Sequence, residues 1–148
     1  MDRPALEIIA VPVAAVDAIW EQALPHLQAA IGDAHGRYTP DDIRVFCRSG
    51  DMKLFIASEG EAVVAAVVGE IVQYPRKRVL VVPFAGGAEI GRWYAPMEAC
   101  VEEWARAFGC SGEMTFGRKG WARITGAEEI GVVLWREFSA TPTSMEVH

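Results

Sequence analysis

Apolar residues return along this chain with two different periods, and those periods divide it into elements. Leu6 to Val11 is a short β-branched run closed by Pro12, which predicts a first strand. Val16, Ile19, Trp20, Ala23, Leu24, Leu27 and Ile31 then recur every three or four residues, the mark of one buried helical face. Pro25 interrupts that run and predicts a kink or a split. After a loop at Gly32, Asp33 and Gly36, Thr39-Pro40-Asp41-Asp42 reads as a helix start. The Thr39 hydroxyl can cap, Pro40 suits the first helical position, and two acids favour the positive end of the dipole. Ile43, Phe46 and Cys47 form the inward face, and Gly50 is the stop.

The middle of the chain changes to the strand period. Met52 to Ala57, Glu61 to Val72 and Arg78 to Phe84 predict three strands, joined at Glu59-Gly60 and at Tyr74-Pro75-Arg76-Lys77. Such short turns imply antiparallel pairing. Alanines in Ala62 to Val68 also suit a helix, but the flanking strands and turns decide for strand. Gly86, Gly87 and Gly91 predict a glycine-rich loop, and Pro96 places the regular helix several residues beyond it. Met97, Cys100, Val101, Trp104, Ala105 and Phe108 make the apolar face of that helix, with Glu98, Glu102, Glu103 and Arg106 on its wet face and Gly109 at its end. A short strand from Glu113 to Phe116, one or two helical turns within Gly117 to Ile124, a last strand from Val132 to Phe138 and a polar tail from Ser139 to His148 complete the reading.

Composition narrows the class. With 148 residues the chain suffices for one domain, expected over residues 1–138 with 139–148 as the tail, and a domain of that size buries roughly 70% of its unfolded surface. Apolar residues at 51% and charged residues at 23% argue against a disordered or fibrous chain. A net charge of −6 disfavours a protein that mainly coats nucleic acid or anionic membrane. Three cysteines cannot all pair, none stands in a C-x-x-C arrangement, and the three histidines show no zinc-ligand spacing, so neither a disulfide scaffold nor a metal is expected. The longest apolar run, Ala62 to Val68, is far below the roughly 18–20 residues that span a bilayer. With no signal-peptide pattern after Met1-Asp2-Arg3-Pro4, the expected setting is a reducing cytoplasm without a membrane partner.

The order of elements resembles the GNAT acyltransferase superfamily from about Leu6 to Phe138. Local stretches agree. Thr39-Pro40-Asp41-Asp42-Ile43 looks like the start of that family's second helix, and Glu102-Glu103-Trp104-Ala105-Arg106-Ala107-Phe108-Gly109-Cys110 looks like the end of its central helix. Gly117-Arg118-Lys119-Gly120-Trp121-Ala122-Arg123 is similar to a segment of small GNAT-like proteins of tailed phages and prophages. The resemblance implies an α/β fold, a mostly antiparallel central sheet with helices on both faces. It also implies transfer of an acyl group from acetyl-CoA, or another acyl-CoA, to a small-molecule or protein amine. In that family the central helix begins beside a splayed pair of strands, and its N-terminal loop receives the pyrophosphate. Unpaired N–H groups and the helix dipole favour an anion there. The equivalent region is Ala85 to Arg92, so Gly86, Gly87, Gly91 and Arg92 become cofactor-binding candidates, and Arg118 and Trp121 fall near the cofactor's distal end. The family's Arg/Gln-x-x-Gly-x-Gly/Ala pattern is absent, and Glu89 puts a negative charge in the same loop.

Acyl transfer to an amine needs a base for the nucleophile and an acid for the leaving thiolate. By strand position Glu70 is the first candidate for the base and Glu113 the second, against the commoner reading of either as an acid near a strand end that faces water. Tyr94 lies close to the expected cleft and reads as an anchor for the helix start, so no complete acid–base pair emerges. Cys100 is expected in the core and Cys110 nearer solvent, while His26 and His35 read as solvated residues bordering a loop. Arg76-Lys77-Arg78 suits a solvated hairpin turn. Arg118, Lys119 and Arg123 surround Trp121, an arrangement that can stack a base and hold phosphate, or equally a core tryptophan with wet neighbours. Three readings follow in order: a GNAT-type acyltransferase; a non-catalytic GNAT-fold accessory or binding module of a phage or prophage; and, well behind, nucleic-acid handling. Exposed tryptophans would favour a homodimer.

Overall fold

The computed structural model describes residues 3–117 and 120–139. They fall into two compact units, divided between Phe116 and Gly117. In the first unit, β1 (Leu6–Ala10) and a short 3-10 turn (Val13–Ala15) lead into α1 (Val16–Gly32) and α2 (Pro40–Ser49). Three strands follow, β2 (Lys53–Glu59), β3 (Ala62–Gln73) and β4 (Arg78–Gly87), and then α3 (Ile90–Ala107) and β5 (Gly112–Thr115). The sheet order is β1-β2-β3-β4-β5, with antiparallel pairs up to β4 and a parallel β4–β5 pair. Hairpins join β2 to β3 and β3 to β4, α1 and α2 connect β1 to β2, and α3 is the crossover that a parallel neighbour requires. The second unit carries α4 (Gly120–Thr125).

Alternate residues of the strands serve two separate packings. Leu54, Ile56, Ala66, Val68 and Phe84 face one way, into a core with Trp20 and Leu27 of α1 and Ile43 and Cys47 of α2. Phe55, Ala57, Ala65 and Val67 are equally buried in the opposite direction, and the Phe55 ring meets Trp104 of α3 edge-on at 5.6 Å. A sheet covered on both faces reads as continuous apolar runs rather than as alternation, which is why Ala62 to Val68 looked ambiguous in sequence.

Several expectations need correction. The helix α1 runs through Pro25 without splitting, because Trp20, Ala23, Leu27 and Ile31 on both sides of it stay buried on one face. Packing there outweighs the hydrogen bond that proline removes. Helix α3 begins at Ile90, not beyond the glycines, and takes Pro96 into its interior. Gly86 and Gly87 are the last residues of β4 rather than part of a loop. Cys110 is buried and Cys100 only half-buried, the reverse of expectation. Gly109, at φ 84°, turns the chain back so that the Cys110 N–H donates to the Ala105 carbonyl at 3.0 Å. Val132 to Phe138 carries no strand, and Ile130, Leu134 and Phe138 are at least three-quarters exposed. A strand pattern alone forms no ladder without a paired edge. Among the described residues no helix is long and apolar enough to cross a membrane, and no group of His, Cys, Asp and Glu is placed to hold a metal.

Candidate functional site

Strands β4 and β5 part company partway along. Val68 pairs with Phe84 and Glu70 with Val81, so Gly69 alone faces Val82 and Pro83, a bulge on β4. A Cβ at Gly69 would come within 2.9 Å of Leu80 Cδ1, the outer end of a side chain that can move aside. The parallel ladder ends at Val82 and Thr115, and the Phe116 N–H makes a last bond to the Val82 carbonyl at 3.3 Å. Beyond that point β4 continues to Gly87, and its paired strand among the described residues is β3. The outer edge of β4 from Phe84 onward therefore presents backbone groups with no ladder partner among the described residues.

At the end of β4 the chain turns into α3 through a tertiary ion network. Glu89, the N-cap, has left-handed backbone at φ 55°, ψ 52°, and its side chain makes no cap bond. Trp93 is buried one turn later and donates from Nε1 to the Ala88 carbonyl at 3.0 Å, fixing the entry of the chain. Arg3 bridges two carboxylates. Its Nε and Nη2 donate to Glu59 at 3.2 and 3.0 Å, and its Nη1 and Nη2 donate to Glu89 at 3.0 and 3.3 Å. Arg92 pairs with Glu59 from the other side and donates to the Pro4 carbonyl at 3.2 Å. The hydrogen bonds from Arg3 chiefly, and from Arg92, hold the Glu59 carboxyl below the usual carboxylate range, and Arg3 does the same for Glu89. A cavity of about 160 Å³ opens beside this network, walled by Leu6, Val63, Val64 and Trp93 with His26 at its border. The Val63 carbonyl, beyond the last β3–β4 pair, accepts a 2.8 Å bond from Nε2 of His26.

The candidates named from sequence lie in different places. Gly86 sits directly beneath α1, where a Cβ would collide with the His26 carbonyl oxygen. At Gly87, with φ 153°, a Cβ would also come too near, within 2.6 to 2.8 Å of Val64 and Ala65 atoms. Close packing of α1 and β3 on β4 therefore explains both glycines. Gly91 lies in the first turn of α3 with open space around it, and Arg92 follows it, engaged by Glu59. Glu70 and Glu113 are on opposite faces of the sheet. Glu70 shares the side of Val68, two residues before it on β3, which packs in the α1–α2 core. Glu113 is set against Glu98 and Glu102 of α3. Burial raises the Glu70 carboxyl. Crowding by protein atoms, a hydrogen bond with Glu98 and repulsion from Glu98 and Glu102 push Glu113 up to about 8. Burial, then the charges of Glu98 and Glu113, push Tyr94 up to about 12. Trp121 is half-buried in α4 of the second unit, while Arg118 and Lys119 lie outside the described residues. Burial pushes the Cys47 thiol up to about 12, and burial also raises Cys100, which disfavours the thiolate at both. Sequence reasoning missed Arg3, Glu59 and Trp93.

No protein-family model matches the chain, and no curated protein matches it in sequence. Solved structures do match it in fold. An aminoglycoside acetyltransferase from an uncultured soil metagenomic sample, in complex with sisomicin, superposes with a TM-score of 0.67 at 13% identity, covering 90% of this chain and 97% of the other. An aminoglycoside N-acetyltransferase in complex with CoA gives 0.65 at 14% identity, covering 95% and 98%. A ribosomal-protein-alanine N-acetyltransferase from Brucella melitensis biovar Abortus 2308 gives 0.64 at 12% identity, covering 89% and 99%. The mixed α/β architecture, a five-stranded sheet with helices on both faces, is thus that of the GNAT acetyltransferases.

Proposed function

We propose that this chain is a GNAT-type N-acyltransferase that moves an acyl group from acetyl-CoA, or a related acyl-CoA, to an amine. The observation that carries this reading is the parting of β4 from β5 at Val82 and Thr115, which leaves an extended backbone edge for the amide-bearing arm of the thioester. The fold likeness supports it, since neighbours of this architecture were solved with CoA and with sisomicin. The thioester arm fits that edge. The phosphate end does not fit the start of α3 as arranged, where it would meet the Glu89 carboxylate. Glu70 is the proposed base, because it flanks the bulge and its half-buried carboxyl is already raised by desolvation. As the amine nitrogen attacks the thioester carbonyl, the C–N bond forms, the C–S bond breaks, Glu70 takes the ammonium proton and the thiolate leaves to be protonated by solvent.

The first test is thermal melting with acetyl-CoA and with free CoA. Ligand at a hundred times its dissociation constant adds about 2.7 kcal/mol, or roughly 5–10 °C for a domain of this size. A shift of that order and turnover on an amine panel are expected, and their joint absence overturns the reading. Glu70→Gln should lower kcat/KM by about 10²-fold or more. Because the Glu70 carboxyl is raised, the rising limb of kcat/KM against pH should stand above the ordinary carboxylate range, and the variant should lose that limb. A second reading, a non-catalytic GNAT-fold module of the kind phages and prophages encode, is favoured by the carboxylate and guanidinium that fill the start of α3.

A further inference from the structure

We propose that Glu59 and Glu89, beside the cavity between β3 and the start of α3, form a binding site for an alkylguanidinium group, and that Arg3 is its built-in occupant. This goes beyond acyl transfer and does not depend on it. One guanidinium makes four N–H bonds to two carboxylates, a two-point fork on Glu59 and another on Glu89. Those acids come from separate elements, the end of β2 and the N-cap of α3, and a planar fork is the cation that satisfies both at once. An ammonium, with three donors on one atom, cannot reproduce that geometry. Charge agrees with this assignment. Two acids and two arginines balance, and withdrawing Arg3 leaves one negative charge that a single monovalent cation restores. Arg92 stays behind as a fixed neighbour of Glu59, so the vacated position lies against Glu89.

The occupant is built to leave. Arg3 stands three residues before β1 begins, and its side chain is 54% exposed, whereas the Glu59 side chain is 16% exposed. Its exchange breaks no ladder bond, because β1 first pairs at Leu6. The adjoining cavity of about 160 Å³ is apolar along Leu6, Val63, Val64 and Trp93, which suits the alkyl stem of a ligand whose head replaces that of Arg3. An anion is disfavoured at the same place, because it would meet the Glu59 and Glu89 carboxylates.

The test is calorimetric titration of the full chain with n-butylguanidinium, n-butylamine and inorganic phosphate at matched ionic strength. Arg3→Ala should bind n-butylguanidinium about tenfold more tightly than the wild type, the factor expected if Arg3 fills the site about nine-tenths of the time. Adding Glu89→Gln to Arg3→Ala should reverse most of that gain, and n-butylamine should bind more weakly than n-butylguanidinium. Equal affinity in wild type and Arg3→Ala, or phosphate binding Arg3→Ala more tightly than the guanidinium does, overturns the proposal. A second readout uses the wild type alone and so survives a variant that fails to fold. The Arg3 Nε–H resonance should move to its solvent-exposed position as n-butylguanidinium saturates, and an unmoved resonance at saturation overturns the proposal equally.

Discussion

Helices α2 and α3 begin in opposite ways. At α2 everything needed lies within four consecutive residues. The Thr39 hydroxyl accepts from the Asp42 N–H at 3.2 Å, the Asp42 carboxylate accepts from the Thr39 N–H at 2.8 Å, and Pro40 opens the first turn. At α3 no side chain caps the helix. Its N-cap residue is left-handed, and its position is held by Arg3 and Glu59 from distant parts of the chain, together with Arg92 and a buried Trp93. A start satisfied locally has no chemistry left over. A start held by long-range ion pairs keeps charges, a cavity and exchangeable contacts beside it, and the candidate site accordingly lies at α3.

The largest effect that would break this contrast is at Trp93. Trp93→Ala should cost about 3–5 kcal/mol in urea unfolding, because it removes a large buried side chain and the bond to Ala88 together. A loss no greater than that of a surface substitution would mean that α3 is fixed by its own sequence, as α2 is. At α2 the expected change is smaller. Thr39→Ala should cost about 1 kcal/mol, or roughly 2–4 °C in Tm, and amide exchange should quicken in the first turn of α2 while α3 keeps its protection. Loss of protection at both helices would mean that the two starts are coupled.

The same contrast governs what the sequence discloses. The Thr39-Pro40-Asp41-Asp42 start, the hairpin turns and the Gly50 stop, at φ 88°, are local chemistry and were readable. The onset of α3 was not, because Pro96 signals a late start and the anchor that overrides it, Trp93, is identifiable only from its burial. The glycines at 86 and 87 were noticed for a reason other than the one the fold supplies. Each is needed where another element presses on β4, and a sequence shows the glycine without the neighbour. Arg3, Glu59 and Glu89 lie in three separate stretches, brought together by the β1–β2 pairing, which sets Leu6 opposite Glu59, and by the turn after β4. Strand position alone ranks Glu70 and Glu113 first and second, whereas packing of Val68 on one side and Glu98 on the other assigns them to opposite faces.

The last comparison separates backbone strain from ion pairing at the two starts. Left-handed backbone costs an L-residue roughly 1–2 kcal/mol, and glycine adopts it freely. At Thr39, with φ −102°, glycine gains nothing and gives up the hydroxyl, so Thr39→Gly should be slightly less stable than wild type. At Glu89, with φ 55°, alanine loses the Arg3 pairing and keeps the strain, whereas glycine loses the pairing and relieves the strain. Glu89→Gly should therefore be more stable than Glu89→Ala in matched urea titrations, and the difference between them isolates the backbone contribution from the ion pair. If the two variants unfold at the same midpoint, the left-handed turn is not what holds Glu89 toward Arg3. The start of α3 would then rest on Trp93 and Arg92 alone.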